Sequence, residues 1–353
     1  MQIDIRKTNN SILKTVDFDN LGFGHIFSDH MVSMDYENNV WGNPSIIPFE
    51  KISFYPSLAT LHYGQAVFEG MKAFTGVDGK HRLFRPEKHH KRLNTSHKRI
   101  CIPEVSYDVF IKSLETLLEV DLEWIPKKRG NSLYIRPFTF ATEEFLGLKV
   151  SDTFKYMVIT CPVGAYYKGG LNPISLITSG DYVRAVKGGL GEAKTPANYA
   201  ASLYPSMLAK EQGYTQVIWL DGIERKYIDE IGTSNIFFFI DDELITPPLD
   251  GTILDGVTRD SVINLAKNMG IKVNERRISI DEVLEASAKG KLKDAFGSGT
   301  AAIISPIGKI RHQDKEIIIN NNENGELAKK IYKEITDIQY GEKEDIFNWC
   351  HVL

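Results

Sequence analysis

The chain has 353 residues, 42% of them hydrophobic and 25% charged, with a formal net charge of −4. That length suits about two globular domains, and the composition is that of a folded protein rather than a disordered one. Acidic and basic residues are interspersed, which excludes a dominant electrostatic footprint for nucleic acid. The opening Met1-Gln-Ile-Asp-Ile-Arg-Lys lacks an apolar signal core, and the apolar run Ile236–Ile240 is far too short to span a bilayer. Cys101, Cys161 and Cys350 are widely separated and match no metal-ligand spacing. They point to a reducing compartment without a disulfide framework, so a cytoplasmic protein is expected.

In chain order, Tyr107 to Val120 carries apolar residues at helical spacing, and Phe154 to Cys161 alternates as a strand does. Gly164-Ala-Tyr-Tyr-Lys-Gly-Gly-Leu-Asn-Pro173 is rich in glycine, ends in proline, and divides the chain near its middle. Strands are then predicted at Leu176–Thr178, Gln216–Leu220 and Asn235–Ile240. Helices are predicted at Pro196–Gln212, Thr258–Met269, Ile280–Ala288 and Glu326–Gln339, with Ser279 and Glu282 forming a capping box for the third. Strands and helices mix without a strict βαβ rhythm, which favours α/β or α+β layers over one doubly wound sheet. No G-x-G-x-x-G or Walker-type loop is present, and the nine histidines show no metal-ligand spacing.

The most informative segment is Gly188-Gly189-Leu190-Gly191-Glu192-Ala193-Lys194-Thr195-Pro196. Thr195 can cap a helix and Pro196 suits its first position, which sets Lys194 beside the positive end of the helix dipole. Such a place favours the neutral amine that attacks a carbonyl; a solvated loop lysine is the alternative. Glu230 stands before the apolar strand, where a charged acid needs a partner. A protonated cofactor ring nitrogen would serve, and an ordinary turn acid is the other reading. Gly256 frees the N–H groups of Val257 and Thr258 at a helix start, a ready anion site. Phe296-Gly-Ser-Gly-Thr-Ala-Ala302 reads as a glycine-punctuated turn fit for a phosphate or carboxylate, or as a tight turn without a ligand. Leu83-Phe-Arg-Pro-Glu-Lys-His-His-Lys-Arg-Leu93 reads as a basic helix face, from which Arg92 can reach a phosphate as a fork.

Together these segments resemble the branched-chain-amino-acid aminotransferases, pyridoxal-phosphate enzymes of fold type IV. The resemblance runs from about Phe23 to the C-terminus. It rests on His62-Tyr63 with Phe68-Glu-Gly-Met-Lys-Ala-Phe74, Arg82-Leu-Phe-Arg-Pro86, Ser132-Leu-Tyr-Ile-Arg-Pro137, the Lys194 turn with Asn198-Tyr199, Glu230-Ile-Gly-Thr-Ser-Asn-Ile-Phe237, and Phe296-Gly-Ser-Gly-Thr-Ala301. It implies a mixed α/β fold of two domains: a smaller N-terminal one over 1–163, an interdomain loop over 164–175, and a larger pseudo-barrel cofactor domain over 176–353.

By the same resemblance, Lys194 forms the Schiff base with pyridoxal 5′-phosphate and moves the substrate Cα proton. Glu230 holds the pyridine nitrogen protonated, Tyr199 bonds the ring's phenolic oxygen, and Thr233 joins them at the cofactor. Arg92, Thr300 and the N–H groups of Val257 and Thr258 hold the phosphate. Tyr134, with the backbone at Ala301 and Ala302, receives the substrate carboxylate. Phe23, Phe68 and Tyr63 wall an apolar pocket, with Tyr63 lent by a second subunit, and Arg136 takes the second carboxylate of glutamate. The implied reaction is ping-pong transamination of leucine, isoleucine or valine with 2-oxoglutarate, by a homo-oligomer of at least two chains. A D-amino-acid aminotransferase or an aminodeoxychorismate-type lyase shares the fold, but the 68–74 segment speaks against both. A cofactor-free binding protein on the same fold would have lost Lys194 or Glu230; both are present. Some mammalian members carry a Cys-x-x-Cys where this chain has Ala302 and Ser305, so a thiol switch at that place is absent.

Overall fold

The computed structural model describes residues 2–165 and 171–353. The chain forms two compact units: Met1–Tyr166 with Ala193–Pro196 and Asp337–Leu353, and Tyr167–Glu192 with Ala197–Thr336. Residues 166–170 of the expected interdomain loop lie outside the described residues. The C-terminal end joins the first unit because the strand Cys350–Val352 pairs antiparallel with His81–Phe84. Tyr340 assists: its ring meets Phe74 edge-on at 5.2 Å, and its hydroxyl donates to the Asn131 carbonyl at 2.8 Å. Local patterning carries no signal for such a return.

The first unit is built on a ten-stranded sheet. Ser132–Ala141 and Phe154–Val163 pair antiparallel from end to end. The strand 132–141 also carries Ala66–Phe68 and Met71–Thr75 on its other edge. These two short strands keep one register, Phe68 opposite Phe138 and Met71 opposite Ile135. The ladder breaks between them at Glu69 and Gly70. Glu69 donates its N–H to the Pro137 carbonyl at 2.7 Å, but proline has no N–H to give back. One face of the sheet is covered by the helices Pro86–Arg99 and Tyr107–Val120. Leu133, Ile135, Tyr156 and Val158 pack there against Leu93, Phe110, Leu114 and Leu117 in one core. The 107–120 helix forms as read from its spacing, capped by Ser106, whose hydroxyl accepts from Val109 N at 3.3 Å. Alternation along a strand then puts Tyr134, Arg136 and Phe138 on the opposite face.

The second unit holds a nine-stranded mixed sheet. Its long strand Ile303–His312 lies between Ile174–Thr178, parallel, and Leu292–Gly299, antiparallel. Asn235–Ile240 follows on the far side of 292–299. The mixture of parallel and antiparallel pairs agrees with the expected α/β mixture rather than a doubly wound sheet. Helices form at Pro196–Glu211, Val257–Asn268 and Ile280–Ala288, and a fourth at Glu326–Gln339. Ser279 caps the third by accepting from Glu282 N at 3.1 Å. Phe296–Gly299, expected as part of a turn, is instead the end of a strand, and only Thr300–Ala302 turns. The glycines serve packing: a Cβ on Gly297 would lie 2.6 Å from the Ile231 side chain. Among the described residues no helix is long and apolar enough to cross a membrane.

Candidate active site

In the first unit Lys194 is held by its main chain. Its N–H donates to Ser96 Oγ at 2.9 Å, and its carbonyl accepts from Phe68 N at 3.0 Å. Next to it, the Thr195 hydroxyl donates to the Ala66 carbonyl at 2.9 Å. The lysine is thereby laid between the 66–68 strand and the 86–99 helix, and its Nζ stands 5.0 Å from the centre of the Phe68 ring.

Alternation splits the neighbouring residues Phe68 and Glu69. Phe68 lies under the Arg136 guanidinium at 4.7 Å, on the face away from the helices. Glu69 turns to the helices and is fully buried. Its Oε1 meets Arg92 Nε at 2.7 Å, and its Oε2 takes Arg92 Nη2 at 2.9 Å and His89 Nδ1 at 2.8 Å. Burial pushes this carboxyl up, but the charge and hydrogen bond of Arg92, with His89, outweigh it and hold Glu69 well below the usual carboxylate range. Burial pushes His89 below its ordinary value, and Glu69 offsets only part of that. The basic stretch read from the sequence is thus no simple solvated face, because its inner side carries a bidentate pair. Sequence reasoning assigned Glu69 and His89 no role. The available signal was an acid inside the apolar stretch 66–71, which must find a partner when buried.

The opposite face collects the other expected residues of this unit. Arg136 Nη2 donates to the Tyr134 hydroxyl at 2.9 Å, and Phe23 meets the Tyr134 ring edge-on at 5.0 Å. Arg136 Nε is buried with no hydrogen-bond partner among the described residues, which suits an incoming carboxylate. Lys72 stands opposite Tyr134 in the ladder, and burial pushes its amine down to about 8; it too went unread. Tyr63 is engaged elsewhere, donating to the Leu146 carbonyl. Gly70 has no room for a side chain, since its Cβ would collide with the Tyr134 hydroxyl. Gly70→Ala is therefore expected to displace Tyr134 and raise KM for the amino acid about tenfold, roughly one charge-assisted hydrogen bond. Steady-state kinetics check this; an unchanged KM would separate Tyr134 from substrate binding.

In the second unit Glu230 lies on the strand Ile228–Ile231 and is 2% exposed. Its Oε1 accepts from Asn235 Nδ2 at 2.8 Å and Leu254 N at 3.0 Å, and its Oε2 meets Arg184 Nε at 2.7 Å. Gly256 is the N-cap of the helix Val257–Asn268, whose first residues Val257 and Thr258 are buried. A Cβ at Gly256 would collide with the Asn235 amide. Asn235 stands opposite Ser298 in the ladder, on the same face, and the Ser298 hydroxyl is buried with no partner among the described residues. The Thr300–Ala302 turn closes on Ile303, whose φ is +66°. Ile304 N bonds back to the Ala302 carbonyl at 2.8 Å across it, a γ-turn of the rare, strained hand. Tyr199 is half-buried on the 196–211 helix, and Thr233 is exposed at the hairpin tip between Ile231 and Ser234.

These features fit pyridoxal phosphate. A glycine-capped helix start and an orphaned buried hydroxyl on one face suit a phosphate. A buried carboxylate suits a cationic ring nitrogen.

The family model for amino-transferase class IV matches residues 66–310. The chain belongs to that family. The branched-chain-amino-acid aminotransferase 2 of Bacillus subtilis (strain 168) is 51% identical over 330 residues, 93% of this chain and 91% of that protein. At that likeness, this class IV aminotransferase is a transaminase of branched-chain amino acids. The crystal structure of the branched-chain amino acid aminotransferase of Escherichia coli superposes with a TM-score of 0.76 at 28% identity, covering 91% of this chain and 98% of that one. A third relative is a thermophile-type branched-chain amino acid aminotransferase complexed with N-(5′-phosphopyridoxyl)-L-glutamate, its source abbreviated T.th.; it has a TM-score of 0.73 at 25% identity, covering 91% and 98%. Fold type IV, expected from the sequence motifs, is the fold of these neighbours.

Proposed function

We propose that this aminotransferase uses pyridoxal 5′-phosphate to transfer amino groups between leucine, isoleucine or valine and 2-oxoglutarate. The observation that carries the reading is Lys194, fixed at both main-chain groups with its amine over the Phe68 ring. The relative complexed with phosphopyridoxyl-glutamate supports glutamate as the second amino acid. Bound pyridoxal phosphate supplies an aldehyde carbon for the amino group and a protonated ring that accepts electron density from Cα. Lys194 is the residue it joins. Glu230 and Tyr199 hold its ring, with Thr233 nearby. Arg92, Thr300 and the N–H groups of Val257 and Thr258 hold its phosphate.

The chain's own groups do the rest. Lys194 Nζ, as a neutral amine, takes the proton from the substrate Cα. Tyr134 and the backbone at Ala301 and Ala302 receive the α-carboxylate, so that the Cα–H bond is presented in a fixed direction. Phe23 and Phe68 give branched side chains an apolar wall, and Arg136 gives a dicarboxylate its counter-charge. Because the amino group stays on the enzyme between the two halves, ping-pong kinetics follow.

Incubation with pyridoxal phosphate, borohydride reduction and mass spectrometry tests the reading. An adduct on Lys194 is expected; none, or adducts scattered over surface lysines, would overturn it. The working unit we infer is at least a dimer, with Tyr63 serving the neighbour's pocket. Tyr55, Leu61 and Leu146 are each more than 60% exposed. The segments 58–63 and 144–146 carrying two of them are tied by the Leu58–Glu144 bridge and the Tyr63–Leu146 hydrogen bond. An apolar patch of that kind favours a partner chain. Sedimentation is expected to show no fully active monomer. A reducing compartment such as the cytoplasm fits the three free cysteines.

A further inference from the structure

One guanidinium in the second unit ties together pieces that the sequence reading treated separately. Arg184 is almost wholly buried. Its Nε pairs with Glu230 Oε2 at 2.7 Å. Its Nη1 donates to the Thr252 carbonyl at 2.9 Å and to the Gly191 carbonyl at 3.3 Å. Thr252 belongs to the segment whose Leu254 N–H binds the other Glu230 oxygen at 3.0 Å. A closed ring results: Arg184 to Glu230, Glu230 to Leu254, and back through Thr252 to Arg184. Gly191 fits against this ring only because it lacks a side chain, since a Cβ there would run into the Thr252 carbonyl. Gly191 also stands three residues before Lys194 in the chain.

We propose that Arg184 is a positioning residue for the transamination, orienting the Glu230 carboxylate and keeping it ionised while it anchors the glycine turn that leads to Lys194. The proposal rests on the role of Glu230 at the cofactor ring given above. A carboxylate buried this deeply favours its neutral form unless a cation faces it. A neutral carboxyl would donate a proton to the ring nitrogen's lone pair rather than bind the protonated ring. Arg184 prevents this by occupying Oε2 from one fixed direction. A lysine could supply the charge but not the fork that also holds two carbonyls.

The test combines Arg184→Gln with Glu230→Gln on the pyridoxal-phosphate-loaded enzyme. Arg184→Gln is expected to lower kcat about 10- to 100-fold, the loss typical when the partner of an active group is removed. KM for L-leucine should change less than about threefold, and the visible absorption band should shift in the same direction as in Glu230→Gln. In the Glu230→Gln background, Arg184→Gln should cost less than about threefold, because the two residues then act as one unit. Arg184→Lys guards against a failure to fold: it should keep the wild-type band while losing rate. Fully additive losses, or a displaced band in Arg184→Lys, would overturn the positioning role and leave the proposed function standing. Full turnover in Glu230→Gln would overturn that function's use of Glu230, and this proposal with it.

Discussion

Lys194→Ala is expected to cut turnover of L-leucine with 2-oxoglutarate by about four orders of magnitude, the upper range for loss of a general base. The fold should survive. The bonds that hold this residue come from its main chain, the N–H to Ser96 and the carbonyl from Phe68, and alanine keeps both. The side chain contributes its amine above the Phe68 ring at 5.0 Å, worth about 0.5–1 kcal/mol if exposed. Steady-state assays beside circular dichroism and a melting curve separate chemistry from folding. Near-normal turnover in a folded variant would remove Lys194 from the mechanism.

Glu69→Ala is expected to act on stability as well as on activity. The fully buried carboxylate is the counter-charge of Arg92, itself 6% exposed. Removing one partner of such a pair leaves the other charge buried and costs about 3–5 kcal/mol. For a unit of this size that lowers Tm by about 6–20 °C. Loss of the fork also frees Arg92 to reorient, so affinity for pyridoxal phosphate should fall. The pH dependence has a definite sign. The Glu69 carboxyl sits well below its ordinary value of 4.5 in the folded chain. Its contribution is therefore complete above about pH 4.5 and is lost only as pH falls through the lowered folded value. The Tm gap between wild type and Glu69→Ala should stay constant from neutrality to about pH 5 and close only in stronger acid. A gap that closed between pH 7 and 5 would mean that another group carries the effect. Glu69→Gln, which keeps the shape without the charge, should lie between the two.

Patterning within a few turns or strands was readable from the chain. The helix Tyr107–Val120 and the strands Gln216–Leu220 and Asn235–Ile240 form where spacing and apolar runs put them, because their stability depends on neighbours three or four places away or on plain alternation. Phe296–Gly299 was misread for a physical reason. Glycine marks both tight turns and close packing, and only the Ile231 side chain behind Gly297 tells which applies. The ordered motifs were specific enough to name the family, which the class IV match over 66–310 bears out.

The sequence alone therefore decided composition class, most element positions, the family and the residues worth testing. Tertiary structure alone decided their partners. Glu69 with Arg92 and His89, Glu230 with Arg184, Lys194 with Ser96, and the C-terminal strand with His81–Phe84 join positions that are distant along the chain. Helical and strand periodicity describe which way a side chain faces. Which charge it meets there depends on how separate elements pack, and burial then makes that meeting compulsory, because an unpaired charge in the interior is too costly to keep.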